Sequence, residues 1–198
     1  MRLPRLALLS LALTSLPTAA FAHTGVGAAN GFAHGFMHPI GGLDHVLAMV
    51  AVGLLAARLG GRALWLVPFS FVTMMILGGV AGASGFCLPF VELGITGSIL
   101  VLGFVIALGR QLPAAFAAAL VGFFGIFHGH AHGTEMPVDA QGLLYGAGFV
   151  VATMLLHAAG LALGTGADRL AGSWSAKASR VAGGAMAAAG AGIAAGVF

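Results

Sequence analysis

The chain has 198 residues, 60% hydrophobic and only 7% charged, with a mean hydropathy of +1.06. A soluble domain is about 25% charged, so a water-soluble globule is excluded and an integral membrane protein is indicated. The net charge of +3 and pI near 10.0 do not point to nucleic acid, because the basic residues are scattered singly, as topology signals are. The single cysteine, Cys87, excludes an internal disulfide and any Cys-rich zinc or iron–sulfur site, and reads as a packing residue near a membrane surface.

Arg2 and Arg5 precede an apolar run from Leu6 to Leu16, and Ala20-Phe21-Ala22 supplies a small-x-small cleavage pattern. Residues 1–22 are therefore expected to be a cleaved signal peptide; the run is short for a membrane span. Cleavage leaves His23 as the mature N-terminus on the outer face, with an amine and an imidazole on one residue. The remainder is expected to be one all-α domain, residues 23–198, a polytopic bundle of six transmembrane helices.

The predicted spans are Gly31–Ala57, Ala63–Ser84, Leu88–Gly109, Pro113–His132, Gly142–Gly164 and Arg180–Phe198, each near the ~20 residues needed to cross the hydrocarbon core. Pro39 with Gly41 and Gly42 interrupts the first, predicting a kink or a half-helix followed by a span. With His23 outside, Arg58, Arg62, Arg110, Arg169, Lys177 and Arg180 all fall in cytoplasmic loops, and Glu135 and Asp139 fall outside. Signal peptide and basic loops thus agree on a bacterial cytoplasmic membrane protein with both termini outside. Glycines at small-x-x-x-small spacing (Gly78/Gly82, Gly125/Gly129, Gly142/Gly146, Gly160/Gly164, Gly192/Gly196) predict close helix packing, and the last helix offers a possible homo-oligomer contact.

Two clusters carry ionisable groups that are costly in a membrane. An Asp at the centre of a spanning helix costs about 2.5–3.5 kcal/mol on insertion scales, so such groups usually face a bundle interior and pair there. The first cluster is His38-Pro39-Ile40-Gly41-Gly42-Leu43-Asp44-His45. On a regular helix His38 and His45 share a face, with His34 one turn before His38. Asp44 points elsewhere, unless the Gly41-Gly42 break re-aims it or it orients a histidine. Met49 reads as core filling.

The second cluster runs from Phe127 through His128, His130, His132 and Glu135 to Pro137. His128 and His132 share one face, His130 points away, and Glu135 is placed past the helix end. His157, in the fifth span, is either a third contribution to the site or an isolated imidazole bonded to a backbone carbonyl. Glu92 is read as an interfacial carboxylate. Histidine and carboxylate without thiolate suit nickel, cobalt, zinc or copper(II), and magnesium and calcium poorly.

The run His38 to Met49 resembles the signature His-Pro-x-x-Gly-x-Asp-His-x-x-x-Met of the HupE/UreJ family, membrane proteins linked to nickel or cobalt uptake for hydrogenase and urease. The run His128 to Pro137 is similar to that family's second motif, His-Gly-x-Ala-His-Gly-x-Glu-x-Pro. The resemblance implies metal-handling roles for His38, Asp44, His45, His128, His132 and Glu135, while His130 occupies a variable position. Together these observations lead to an expected permease for divalent nickel, or else cobalt. It has no permanently bound cofactor, is not an enzyme, and has the lipid bilayer and the metal ion as partners. His23 and Glu135 would capture the ion, and the His38/His45 and His128/His132 level would pass it inward. The competing expectation is a membrane haem or metal-binding electron-transfer protein, since paired histidines on spanning helices can ligate haem iron. A metalloenzyme lacks support, for there is no His-Glu-x-x-His zinc site, nucleophile elbow or nucleotide loop.

Overall fold

The computed structural model describes residues 31–136, 140–171 and 175–197. The signal segment, His23, Pro137 and Asp139 lie outside them. The described residues form seven helices and no strand: α1 (Gly31–Gly41), α2 (Leu43–Leu59), α3 (Ala63–Ala83), α4 (Val91–Leu108), α5 (Ala114–Glu135), α6 (Ala140–Ala171) and α7 (Ser175–Ala194). Helices α3, α4, α5 and α6 are each long and apolar enough to cross a membrane, and α1 with α2 makes a fifth if the bent pair is one span. The sixth expected segment is helical as α7, but α7 is Gly- and Ala-rich, carries Lys177 and Arg180, and is not among these spans.

The expected break in the first segment is a sharp one. Helices α1 and α2 are bent by 83° at Gly42, whose extended backbone (φ −98°, ψ 120°) ends one helix and opens the next. Pro39, inside the last turn of α1, has no N–H to continue the ladder. Trp65, Phe69, Leu77, Phe104, Phe123, Leu155 and Leu163 are all exposed, an apolar exterior that suits lipid rather than water.

Backbone contact between α3 and α5 sets the register of the second cluster. A Cβ on Gly129 would stand 1.8 Å from the Met75 carbonyl oxygen, and one on Gly133 2.1 Å from that of Gly79. Only glycine permits such proximity, and van der Waals packing and Cα–H···O contacts then supply the association. At ~100° per residue, His128 and His132 sit about 60° round the helix from Gly125 and Gly129, facing the α1–α2 break while the glycines face α3. Of the expected pair Gly192/Gly196, Gly196 lies beyond the end of α7 at Ala194, and among the described residues nothing is within 4 Å of a Cβ there. Helix α7 instead meets α4 through Gly183 and Gly190.

The end of the bundle remote from the histidines is basic. Arg58 donates from Nη2 to the Gly109 carbonyl and Arg180 from Nε to that of Ala107, 3.0 Å away. Both thus satisfy carbonyls at the C-terminus of α4, where cations are favoured. Cys87 is exposed in the connection from α3 to α4, not packed as expected, as are Ser84, Gly85 and Phe86 before it.

Candidate metal site

The bend at Gly42 brings the two ends of the first motif onto one histidine of the second. The His38 and His45 rings each lie 4.6 Å, centroid to centroid, from His132. On an unbroken helix these two would project in one direction from one rod; here they come from two helices and flank the His132 ring. His128, one turn earlier on α5, stands edge-on to His45 at 4.9 Å. His128 is fully buried and His45 is 6% exposed, so neither imidazole meets bulk water.

Asp44 is re-aimed as the break allows, toward the back of His45. Its Oδ1 accepts from the His45 backbone N–H at 2.9 Å and lies 3.0 Å from Nδ1 of the same residue. A carboxylate is an acceptor, so Nδ1 carries the proton and Nε2 is left with its lone pair. That Nε2 faces the Nε2 of His132 at 2.6 Å. Between these two neutral rings His132 therefore donates and His45 accepts. Gly42 makes the arrangement possible, since a Cβ there would lie 2.7 Å from Oδ1 of Asp44 and 3.3 Å from Nδ1 of His45.

Helix α5 continues one turn beyond its expected end at His132, so Glu135 is its last helical residue rather than a loop residue. This places Glu135 three residues from His132 on a neighbouring face. One ligand atom each from His38, His132 and Glu135 lie within 4.8 Å of one another. Three atoms at that spacing are about 2.8 Å from a common centre, against metal–ligand bonds of about 2.0–2.2 Å, so closure needs less than 1 Å from each side chain. The site opens outward through Glu135 and His34, both exposed.

The other expected residues separate by role. His130 points away, with Nε2 2.7 Å from the Phe86 carbonyl, tying α5 to the α3–α4 connection. His157 is 2% exposed, edge-on to Phe71 at 5.1 Å, and neither ring nitrogen has a hydrogen-bond partner among the described residues. The bland alternative of a bond to a backbone carbonyl is therefore not what the structure shows. Glu92 is exposed in the first turn of α4, and Met49 is fully buried core.

Three neighbours of the site gave no signal as motif members. Phe149 stacks at a tilt on His132 at 4.6 Å, and Tyr145, the chain's only tyrosine, stands edge-on to His34 and His38 at 5.7 and 5.9 Å. Ser98, fully buried on α4, has its Oγ 3.0 Å from Nε2 of His128. A sole tyrosine and a serine inside an apolar span were the available hints.

The family model described as HupE / UreJ protein matches residues 11–193. Protein HupE of Rhizobium leguminosarum bv. viciae is 46% identical over 184 residues, which is 93% of this chain and 94% of that protein. No solved structure matches the chain. Coverage of nearly the whole length by both comparisons, with both histidine motifs inside it, shows that this integral membrane protein belongs to the HupE/UreJ family, which is associated with nickel and cobalt uptake for hydrogenase and urease.

Proposed function

We propose that the chain is a permease that takes up divalent nickel, or cobalt, through the site at the α1–α2 break. The observation that carries this is the meeting of His38, His132 and Glu135, whose ligand atoms lie within 4.8 Å of one another, with His45 of a third helix placed 2.6 Å from His132, Nε2 to Nε2. Imidazoles in contact within a membrane protein need a shared partner. A proton serves between His45 and His132 at rest, and a cation replaces it when the substrate enters. The displaced proton moves from Nε2 to Nδ1 of His132, which has no partner among the described residues, so His132 stays neutral while both Nε2 lone pairs face the ion. Asp44 acts behind His45, fixing the tautomer and ring orientation and strengthening Nε2 as a donor of electrons.

A donor set of two imidazoles and a carboxylate, with a third imidazole against His132, suits a borderline divalent ion. It leaves coordination positions to water, as a site that must release its ion requires. Capture begins at Glu135 and His34 on the exposed side, with His23 assisting once the signal segment is removed. His128 and His157 continue the path inward. The basic end at Arg58 and Arg180 supports placing that end in the cytoplasm; the bent pair α1–α2 with α3 to α6 gives five crossings, and α7 read as a sixth puts both termini outside. A haem reading is not favoured, because His45 and His132 have their Nε2 atoms 2.6 Å apart, with no room for a macrocycle between them.

X-ray absorption on the purified protein loaded with one equivalent of nickel tests the site. Imidazole back-scattering from at least two histidines is expected, reduced in His132→Ala. A spectrum of water and carboxylate oxygens alone would overturn the assignment.

A further inference from the structure

The single proton of the Ser98 hydroxyl determines which nitrogen of His128 is available. Oγ of Ser98 donates to the Ile95 carbonyl at 2.6 Å, the back-bond to the preceding turn common for serine within a helix. That proton is thereby committed. The 3.0 Å contact between Oγ and Nε2 of His128 can then be made only one way, with Nε2–H donating to Oγ. His128 is consequently held with its proton on Nε2 and a lone pair on Nδ1. Nδ1 is buried and has no partner among the described residues, in a side chain with no solvent exposure.

Leaving a buried acceptor unpaired is unfavourable, which favours a ligand that can meet it. The neighbouring His45 is held in the opposite tautomer by Asp44, so the two imidazoles, 4.9 Å apart, offer different nitrogens.

We propose that Ser98 is a positioning residue that locks His128 as the Nε2–H tautomer and so presents Nδ1 as the inner ligand for the divalent ion. This rests on the permease reading of the site, but the tautomer can be observed without any metal. Ser98 would do for His128 what Asp44 does for His45, with a neutral hydroxyl in place of a carboxylate. The weaker acceptor leaves His128 a less basic ligand than His45, as suits a step from which the ion moves on.

The test is long-range ¹H–¹⁵N NMR of histidine-labelled, metal-free full-length protein in nanodiscs, with His128 assigned through His128→Gln, followed by calorimetric titration with nickel alone. In the wild type His128 should show the Nε2–H pattern. Ser98→Ala, which only removes an oxygen, should give a mixture of tautomers and about a 10-fold weaker nickel affinity, and Ser98→Thr should restore both. A His128 that carries its proton on Nδ1 in the wild type would overturn the assignment. So would an unchanged nickel affinity in Ser98→Ala. Absence of nickel binding to the wild type, with the Nε2–H pattern intact, would instead overturn the permease reading on which Ser98's role depends.

Discussion

Replacing Gly42 with alanine perturbs the contact between Asp44 and His45 without substituting either residue. The backbone there (φ −98°, ψ 120°) is one that alanine adopts freely, so no backbone strain enters. The added Cβ would lie 2.7 Å from Oδ1 of Asp44, and the carboxylate must withdraw by about 0.5–1 Å to reach ordinary contact. Its 3.0 Å bond to Nδ1 of His45 then exceeds hydrogen-bonding distance. A hydrogen bond to a charged group is worth about 1.5–3 kcal/mol, equivalent to about a 10- to 100-fold loss of metal affinity if all of it serves to orient His45. Nickel titration of Gly42→Ala, Asp44→Ala and the double variant should give three similar losses, since each removes the same bond. Gly41→Ala is the control, for nothing lies within 4 Å of a Cβ there, and it should bind as the wild type does. Wild-type affinity in Gly42→Ala, or losses that add in the double variant, would refute the role given to Asp44.

Other consequences can be checked separately. His130→Ala should keep nickel affinity within about 2-fold while loosening the α3–α4 connection, seen as faster labelling or proteolysis there, since its bond goes to Phe86 and not to the site. Gly129→Ala should destabilise the bundle by at least the ~1–3 kcal/mol typical of overpacking, read as a lower temperature of detergent-solubilised aggregation, because its Cβ would meet the Met75 carbonyl at 1.8 Å.

Residue type and spacing made the outline of the fold and the site readable, for local reasons. Long apolar segments located the helices, the Pro39-Gly41-Gly42 run located the break, and ionisable residues in an apolar chain located the clusters. Tertiary contact decided what stayed hidden. Asp44 points away from His45's face on a straight helix, but the new helix start at Leu43 leaves the His45 N–H without a carbonyl partner, and Asp44 takes it and reaches Nδ1. Glu135 was assigned to a loop because Pro137 follows it, whereas the helix runs to Glu135 itself. Ser98, Tyr145 and Phe149 lie on other helices from the motifs and declare themselves only when the bundle is assembled. The weak apolarity of α7 explains why the last segment, expected as a span, does not stand with the others by length and composition.

Uptake of labelled nickel and cobalt by cells expressing the full chain bears most directly on the permease. Wild type should accumulate at least one of the two ions well above vector-only cells, while His38→Ala, Asp44→Ala and His132→Ala, present in the membrane at equal amounts, should fall to background or near it. Equal accumulation in the wild type and all three variants would contradict a site at the α1–α2 break.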